Sequence, residues 1–174
     1  ASSVPFKAGT RTGQFQTAAL SSTDPEIASL ARALKNSPDL IYEYIYNNIT
    51  TMPFYGSLKG PLGALHDGSG SAFDQTELMF LLLQAAGYSP TYYFGSIQLT
   101  PAQLNNWLGV DNQFGSVAST LRNGGFPTSL SLDASNTLVT SARIGWAWIR
   151  VAIGGVDYFF DPGTKTYSRS SGLS

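Results

Sequence analysis

A run of apolar residues marks the stretch between positions 68 and 87, GSGSAFDQTELMFLLLQAAG. Its leucines recur at helical spacing, while Met79, Phe80 and Leu83 fill the other sides of the same helix. A helix that is apolar nearly all round is buried in the protein. The pattern therefore predicts a central core helix that begins after a Gly/Ser segment and ends at Gly87.

Two amphipathic helices are predicted before this core helix. Residues 23–36 carry one apolar stripe, with Thr23 or Asp24 as the N-cap and Pro25 in the first turn. A second helix begins in the same way at Ser37, and its isoleucines recur on one side. Both stripes are expected to face the core.

The remaining elements are predicted from shorter patterns. Residues 51–71 show no period and indicate a long irregular segment, which contains His66, the only histidine. Helices are predicted at 100–108 and 111–122, a polar turn-rich connection at 126–136, and strands at 90–99, 142–153 and 156–160. Helices followed by strands predict an α+β fold, in which the central buried helix packs on an antiparallel sheet with the N-terminal helices added.

The length of 174 residues suits one domain with a sizeable core. Residues 1–22 lack periodicity and are rich in small polar residues, which predicts a linker or extended arm. The domain is expected over residues 23–167, with a flexible tail over 168–174. No apolar run approaches the roughly 20 residues of a membrane span.

Composition narrows the function classes. Only 12% of residues are charged, against about 25% in ordinary globular proteins, and the net charge is −1. This gives no electrostatic basis for binding nucleic acid. The absence of cysteine excludes disulfides and thiolate chemistry, and one histidine with scattered carboxylates gives no metal-ligand spacing, so no cofactor is expected. A polar surface with few charges favours an extracellular or cell-envelope location.

Three stretches of the chain resemble one known family. The core helix followed by AAGYSPTYYFGSI, then IGWAWIRV, then DYFFDPGTK, is similar to a transglutaminase-like domain of the papain-like group, over roughly residues 25–165. That family carries a cysteine at the start of the central helix, a His-x-Trp motif on a strand, and an aspartate at the end of the next strand. The resemblance implies a Cys-His-Asp triad for acyl transfer.

Two of the three family positions hold residues that cannot do this chemistry. The cysteine position falls on Ala72, the histidine position falls on Trp146, and the aspartate is retained as Asp161. A methyl group cannot attack a carbonyl, and an indole cannot act as a base near neutral pH. The resemblance therefore implies a catalytically inactive domain, similar to those within large secreted bacterial proteins with RHS repeats, that serves as a binding, docking or scaffolding module.

Other interpretations of these residues stay open. Ser71 or Ser69 with His66 could form a Ser-dependent peptidase or acyltransferase, although Ser71 and Asp74 also have the spacing of a helix capping box. Asp161 begins an Asp-Pro-Gly sequence that is a common turn former. A third hypothesis is that alanine replaces a natural cysteine at position 72 by engineering, which the missing histidine disfavours.

Aromatic side chains supply the candidate binding surface. A large ring at position 146 would either close the cleft or provide a stacking platform. The partner is expected to be a polypeptide or a glycan, including other domains of a parent protein. The candidate binding residues are Tyr55, Tyr93, Trp107, Trp146, Trp148 and Arg150.

Overall fold

A computed structural model describes residues 21–166 of the chain. The predicted arm over 1–22 and tail over 168–174 therefore lie almost wholly outside the described residues. The helices are α1 (Pro25–Ala33), α2 (Pro38–Asn48), α3 (Gly60–Asp67), α4 (Ala72–Ala85), α5 (Pro101–Leu108) and α6 (Phe114–Asn123). The strands are β1 (Thr50–Thr51), β2 (Ser69–Gly70), β3 (Thr91–Leu99), β4 (Thr128–Leu132), β5 (Val139–Ile153) and β6 (Val156–Phe160).

The first two helices form where the apolar stripes predict them. The Asp24 carboxylate caps α1 by accepting hydrogen bonds from the backbone N–H groups of Glu26 and Ile27. Lys35 and Asn36 then adopt positive φ angles, which reverses the chain between α1 and α2. The buried side chains of both helices, including Ile27 and Ile41, pack into the same core cluster as α4.

The long strand β5 is the centre of the main sheet. It pairs antiparallel with β3 along one edge and with β4 and then β6 along the other. Pairing to β4 ends at Ile144 and pairing to β6 begins at Ile149, so the described residues leave 145–148 without a strand partner on that edge. The helix α4 lies against this gap, where the Thr76 hydroxyl donates to the Ala72 carbonyl at 2.7 Å and is 3.3 Å from the carbonyl of Ala147.

The sheet is covered on both faces in its middle. Every residue of β5 from Ile144 to Ile149 is buried, although a strand with one solvent face would alternate. The helix α4 packs against one face with α1, α2 and α3 around it, and α5 packs against the other. The prediction of an α+β protein with an antiparallel sheet and a buried central helix is confirmed.

Two predictions of irregular structure are wrong. The 51–71 segment contains α3, and the 126–136 connection contains β4. The α3 sequence GPLGALHD includes two glycines, which weaken helix propensity, so its stability comes from contacts elsewhere in the fold. The strand β4 is mostly polar because it forms an exposed edge paired to β5. Within the described residues, no helix has the length and apolar character needed to cross a membrane.

Candidate functional site

The start of α4 is held by a capping box. The Ser71 hydroxyl accepts from the backbone N–H of Asp74 at 3.1 Å, and the Asp74 carboxylate accepts from the backbone N–H of Ser71 at 2.9 Å. Ser71 also donates its hydroxyl proton to the carbonyl of Gly56 at 2.7 Å, and its side chain is fully buried. The capping role predicted for Ser71 is confirmed.

The other carboxylate oxygen of Asp74 organises the segment before α3. It accepts hydrogen bonds from the backbone N–H groups of Leu58, Lys59 and Gly60 at 2.9, 3.1 and 2.9 Å. The Ser57 hydroxyl donates to the same oxygen at 2.8 Å. A buried carboxylate thus caps one helix from within the first turn of another, and it explains why a glycine-containing sequence is helical.

The positions matched to the family triad lie together. The indole Nε1 of Trp146 donates to both carboxylate oxygens of Asp161, at 3.0 and 3.2 Å. Gly163 lies between Ala72 and Trp146, since a Cβ atom on Gly163 would be 2.6 Å from the Ala72 Cβ and 3.2 Å from Trp146 Cζ2. Ala72 is 1% exposed and Trp146 is 2% exposed, so both side chains are buried, whereas Asp161 is partly exposed.

Asp161 also forms the turn that its Asp-Pro-Gly sequence predicts. Its carboxylate accepts from the backbone N–H groups of Gly163 and Thr164, each at 3.0 Å, and from the Thr164 hydroxyl at 2.6 Å. Removal from water raises the pKa of Asp161, while the hydrogen bonds from Thr164, Trp146 and Gly163 oppose that rise. The carboxylate is therefore fully engaged in holding the turn and the indole.

The carbonyl of Gly163 is held by β1 and, through β1, by α4. The Thr51 hydroxyl donates to the carbonyl of Gly163 at 2.8 Å. The Gln75 amide donates in turn to the Thr51 hydroxyl at 2.9 Å and to the carbonyl of Gly70 at 3.2 Å. The N–H of Gly163 is bound to Asp161 and its carbonyl is bound to Thr51. These two hydrogen bonds hold Gly163 close to Ala72.

The cluster of Ala72, Trp146 and Asp161 has no group that could perform acyl transfer. Ala72 has no nucleophilic atom, and an indole N–H donates a hydrogen bond but cannot take up a proton near neutral pH. Among the described residues, no group of three acidic or histidine side chains could hold a metal ion. The hydrogen bonds and close contacts of this cluster stabilise the fold.

The Ser-dependent alternative finds no nucleophile and base in contact. The His66 ring is 2.6 Å from the Glu26 carboxylate, and both side chains are more than half exposed. Ser69 accepts from the Lys59 ammonium at 3.0 Å, and Ser71 is committed to the capping box. Within the described residues, His66 therefore contacts neither hydroxyl.

The candidate binding residues form two groups of ring contacts. Trp107 and Trp146 meet edge to face, with ring centroids 5.2 Å apart. The Phe126 ring contacts both of them and also contacts Tyr55, which packs against phenylalanines of α4 and β3 as well. Tyr93 stacks on Trp148 at 6.4 Å near Arg150, whose guanidinium is 2.6 Å from the Asp157 carboxylate.

A cavity of about 290 Å³ lies beside Trp146, under α5. Its walls include Ile97, Leu99, Gln103, Trp107, Trp146 and Lys165. Lys165 has no distinguishing pattern in the sequence beyond its position directly after the Asp-Pro-Gly-Thr turn that places it there.

Lys165 closes the C-terminal end of α2. Its ammonium donates to the backbone carbonyls of Ile45, Tyr46 and Ile49 at the end of α2, where some carbonyls have no partner within the helix. Burial lowers the pKa of Lys165 to about 7, against the opposing attraction of the Asp161 carboxylate. The residue therefore links the site turn to the N-terminal helices.

Tyr42 lies on α2, close enough to Asp161 to sense its charge, and is expected to make the free energy of unfolding fall at high pH. Burial chiefly, with the charge of Asp161 and the neighbouring Tyr46, raises the pKa of Tyr42 to about 12. The neutral phenol is favoured in the folded state, so its contribution is complete below the unfolded pKa of about 10. That contribution is lost as the pH rises through 12.

The expected result is that Tyr42→Phe loses less stability than the wild type between pH 9 and pH 11.5. Urea unfolding at a series of pH values measures this slope. The matched control Tyr158→Phe changes an exposed ring on β6 and should reproduce the wild-type slope. Identical slopes for Tyr42→Phe and the wild type would contradict the prediction.

Comparison of the chain with known protein families, with curated proteins and with solved structures gives no match.

Proposed function

We propose that this chain is a catalytically inactive transglutaminase-like domain of the papain-like group. It acts as a binding, docking or scaffolding module within a larger extracellular bacterial protein, of the kind that carries RHS repeats. The observation that carries the proposal is the hydrogen bond from Trp146 Nε1 to Asp161, beside Ala72 at the start of α4. This hydrogen bond lies where the resemblance implies an imidazole–carboxylate pair beside a cysteine.

Several features of the site support the loss of chemistry. An indole can donate to Asp161 as an imidazole would, so the turn and strand β5 stay joined after the base is gone. Gly163 packs directly on Ala72, so no space is left between the turn and the start of α4 at this point. The site therefore serves as a packed joint between α4, β5 and the turn that follows β6.

Purified protein should show no turnover with glutamine-containing peptides, with or without an added amine, and no peptidase activity. Continuous assays of ammonia release and of amine incorporation measure this. Turnover that disappears in Ser71→Ala or Ser69→Ala, with the fold retained, would overturn the proposal and favour the Ser-dependent enzyme.

A single introduced thiol tests whether the site is closed. The chain has no cysteine, so Ala72→Cys gives a unique reporter. We expect its alkylation by iodoacetamide to be about a hundredfold slower than that of Ala102→Cys, since reaction at position 72 requires local opening of about 3 kcal/mol. Ala102 is the control because it is exposed on α5. Equal rates in folded protein would show an open cleft.

A further inference from the structure

The outer edge of β6 is open and apolar. Among the described strands, β6 pairs with β5 alone, and residues 156–159 are all exposed. Six large apolar side chains are exposed in the described residues, and three of them lie on this five-residue strand. They are Val156, Tyr158 and Phe159, which are 56%, 46% and 59% exposed. Such a concentration is typical of an interaction surface.

Strand β6 lacks the features that keep an exposed sheet edge from pairing with another chain. Its sequence VDYFF has no lysine and no proline, and its register with β5 is unbroken. Its one charged residue, Asp157, is 2.6 Å from the guanidinium of Arg150. Strand β4, along the same side of β5, is mostly polar, and its register shifts between Ser131 and Leu132. The sheet therefore protects one exposed strand and leaves the other able to pair.

The turn before β6 decides which backbone groups of this strand point away from β5. Both residues of the turn 154–155 are glycines with positive φ, as in a type I′ hairpin, and the pair of Ile153 and Val156 closes the turn with hydrogen bonds. Hydrogen-bonded and non-hydrogen-bonded pairs alternate along an antiparallel ladder. The N–H and carbonyl groups of Asp157 and Phe159 therefore point outward, where another strand can bind them.

We propose that β6 pairs with β6 of a second copy of this chain, antiparallel about a twofold axis at Tyr158. This register places Asp157 opposite Phe159 of the second copy, and their outward backbone groups exchange hydrogen bonds on both sides of the axis. The pairing joins the main sheets of the two copies into one continuous sheet.

The side chains of β6 favour a second copy as the partner. The twofold register places Val156 opposite Phe160 of the second copy and Tyr158 opposite Tyr158, so apolar side chains meet across the edge. Each Asp157 meets a phenylalanine, whereas a parallel pairing would bring the two aspartates side by side. An added peptide strand of another protein gains its specificity from side-chain pockets, and the cavity under α5 includes no residue of β6.

The exposed area of β6 indicates how strong the pairing is. The three side chains, each about half exposed, bring roughly 300 Å² of apolar area per copy to the interface. A stable complex buries about 800 Å² per partner. We therefore expect a weak dimer with a Kd of about 0.1–1 mM, which forms only when the chain is concentrated.

Sedimentation velocity of the full chain from about 20 µM to 1 mM measures this association. We expect the average mass to rise over this range from that of one chain toward that of two. Tyr158→Lys and Tyr158→Glu should each stay monomeric, since like charges then lie directly opposite at the axis. An equimolar mixture of the two variants should associate about tenfold more tightly than either variant by itself. The matched control Phe114→Lys changes an exposed ring on α6 and should dimerise as the wild type does.

Oxidation of a thiol at position 158 tests the register. The chain has no cysteine, and Tyr158→Cys places two thiols opposite each other in a non-hydrogen-bonded pair, within the Cα distance that a disulfide spans. We expect its intermolecular disulfide to form about tenfold faster than that of Phe114→Cys at the same concentration. Equal rates would mean that the axis does not pass through Tyr158.

A wild type that is monomeric at about 1 mM would overturn the proposal and leave a strand of another protein as the occupant of this edge. A dimer that survives both charged Tyr158 variants overturns it equally, as does a mixture of those variants that fails to associate. None of these measurements depends on turnover, so failure here leaves the proposed loss of catalysis standing.

Discussion

Asp74→Ala should lower the free energy of unfolding by about 4 kcal/mol, which corresponds to a fall in Tm of about 10 °C for a chain of this size. The carboxylate is fully buried and accepts from five donors, four on one oxygen and the N–H of Ser71 on the other. Hydrogen bonds to a charged group are stronger than neutral ones, and part of the loss is offset by hydration of the exposed Ser57–Leu58 region.

Asp67→Ala is the matched control for this change. Asp67 makes an exposed ion pair with Lys59 at 2.8 Å, in the same segment of the fold. Exposed pairs of this kind contribute little to stability, because water and salt screen the two charges. Urea unfolding and thermal melts compare the two variants, and an equal loss of stability in both would show that Asp74 does not hold α3 to α4.

Gly163→Ala should be the second large effect, a loss of about 3 kcal/mol in the free energy of unfolding. The new Cβ atom would lie 2.6 Å from the Ala72 Cβ and 3.0 Å from its Cα. The turn cannot move away without breaking the hydrogen bonds to Asp161 and Thr51 that hold Gly163 on both sides. The added methyl group therefore forces strain on the joint between α4 and the turn.

A double-mutant cycle with Ala72→Gly tests this cause. Removing the Ala72 methyl group by itself should have a small effect near the helix start, about 1 kcal/mol or less. In the double variant it should recover part of the stability that Gly163→Ala removes, because the Cβ–Cβ contact no longer exists while the contacts to the Cα of residue 72 and to Trp146 remain. Simple addition of the two losses would mean that the clash with Ala72 is not the cause.

The elements that the sequence predicted correctly are those that depend on near neighbours. The α1 cap at Asp24 and the Ser71 capping box each use residues within three positions of one another. The burial of α4 follows from its own composition, with apolar side chains on every side. Such features need no knowledge of the rest of the chain.

The elements that were missed depend on distant partners. The helix α3 forms because Asp74, which lies beyond its end in sequence, binds the N–H groups at its start. The strand β4 is defined by its pairing with β5 and not by an apolar pattern. Hydrogen bonds such as Thr51 to Gly163, 112 positions apart, give no local signal.

By itself the sequence determined the central helix, its cap, the α+β class, and the absence of a thiol or an imidazole at positions 72 and 146. Only the tertiary structure decided what replaced them: Trp146 bound to Asp161, Gly163 packed on Ala72, and a cavity behind the indole. The physical reason is the range of the forces involved. Periodicity and capping act over a few residues. Close packing brings together side chains that are far apart in the chain, and their spacing in the sequence does not indicate that they are in contact.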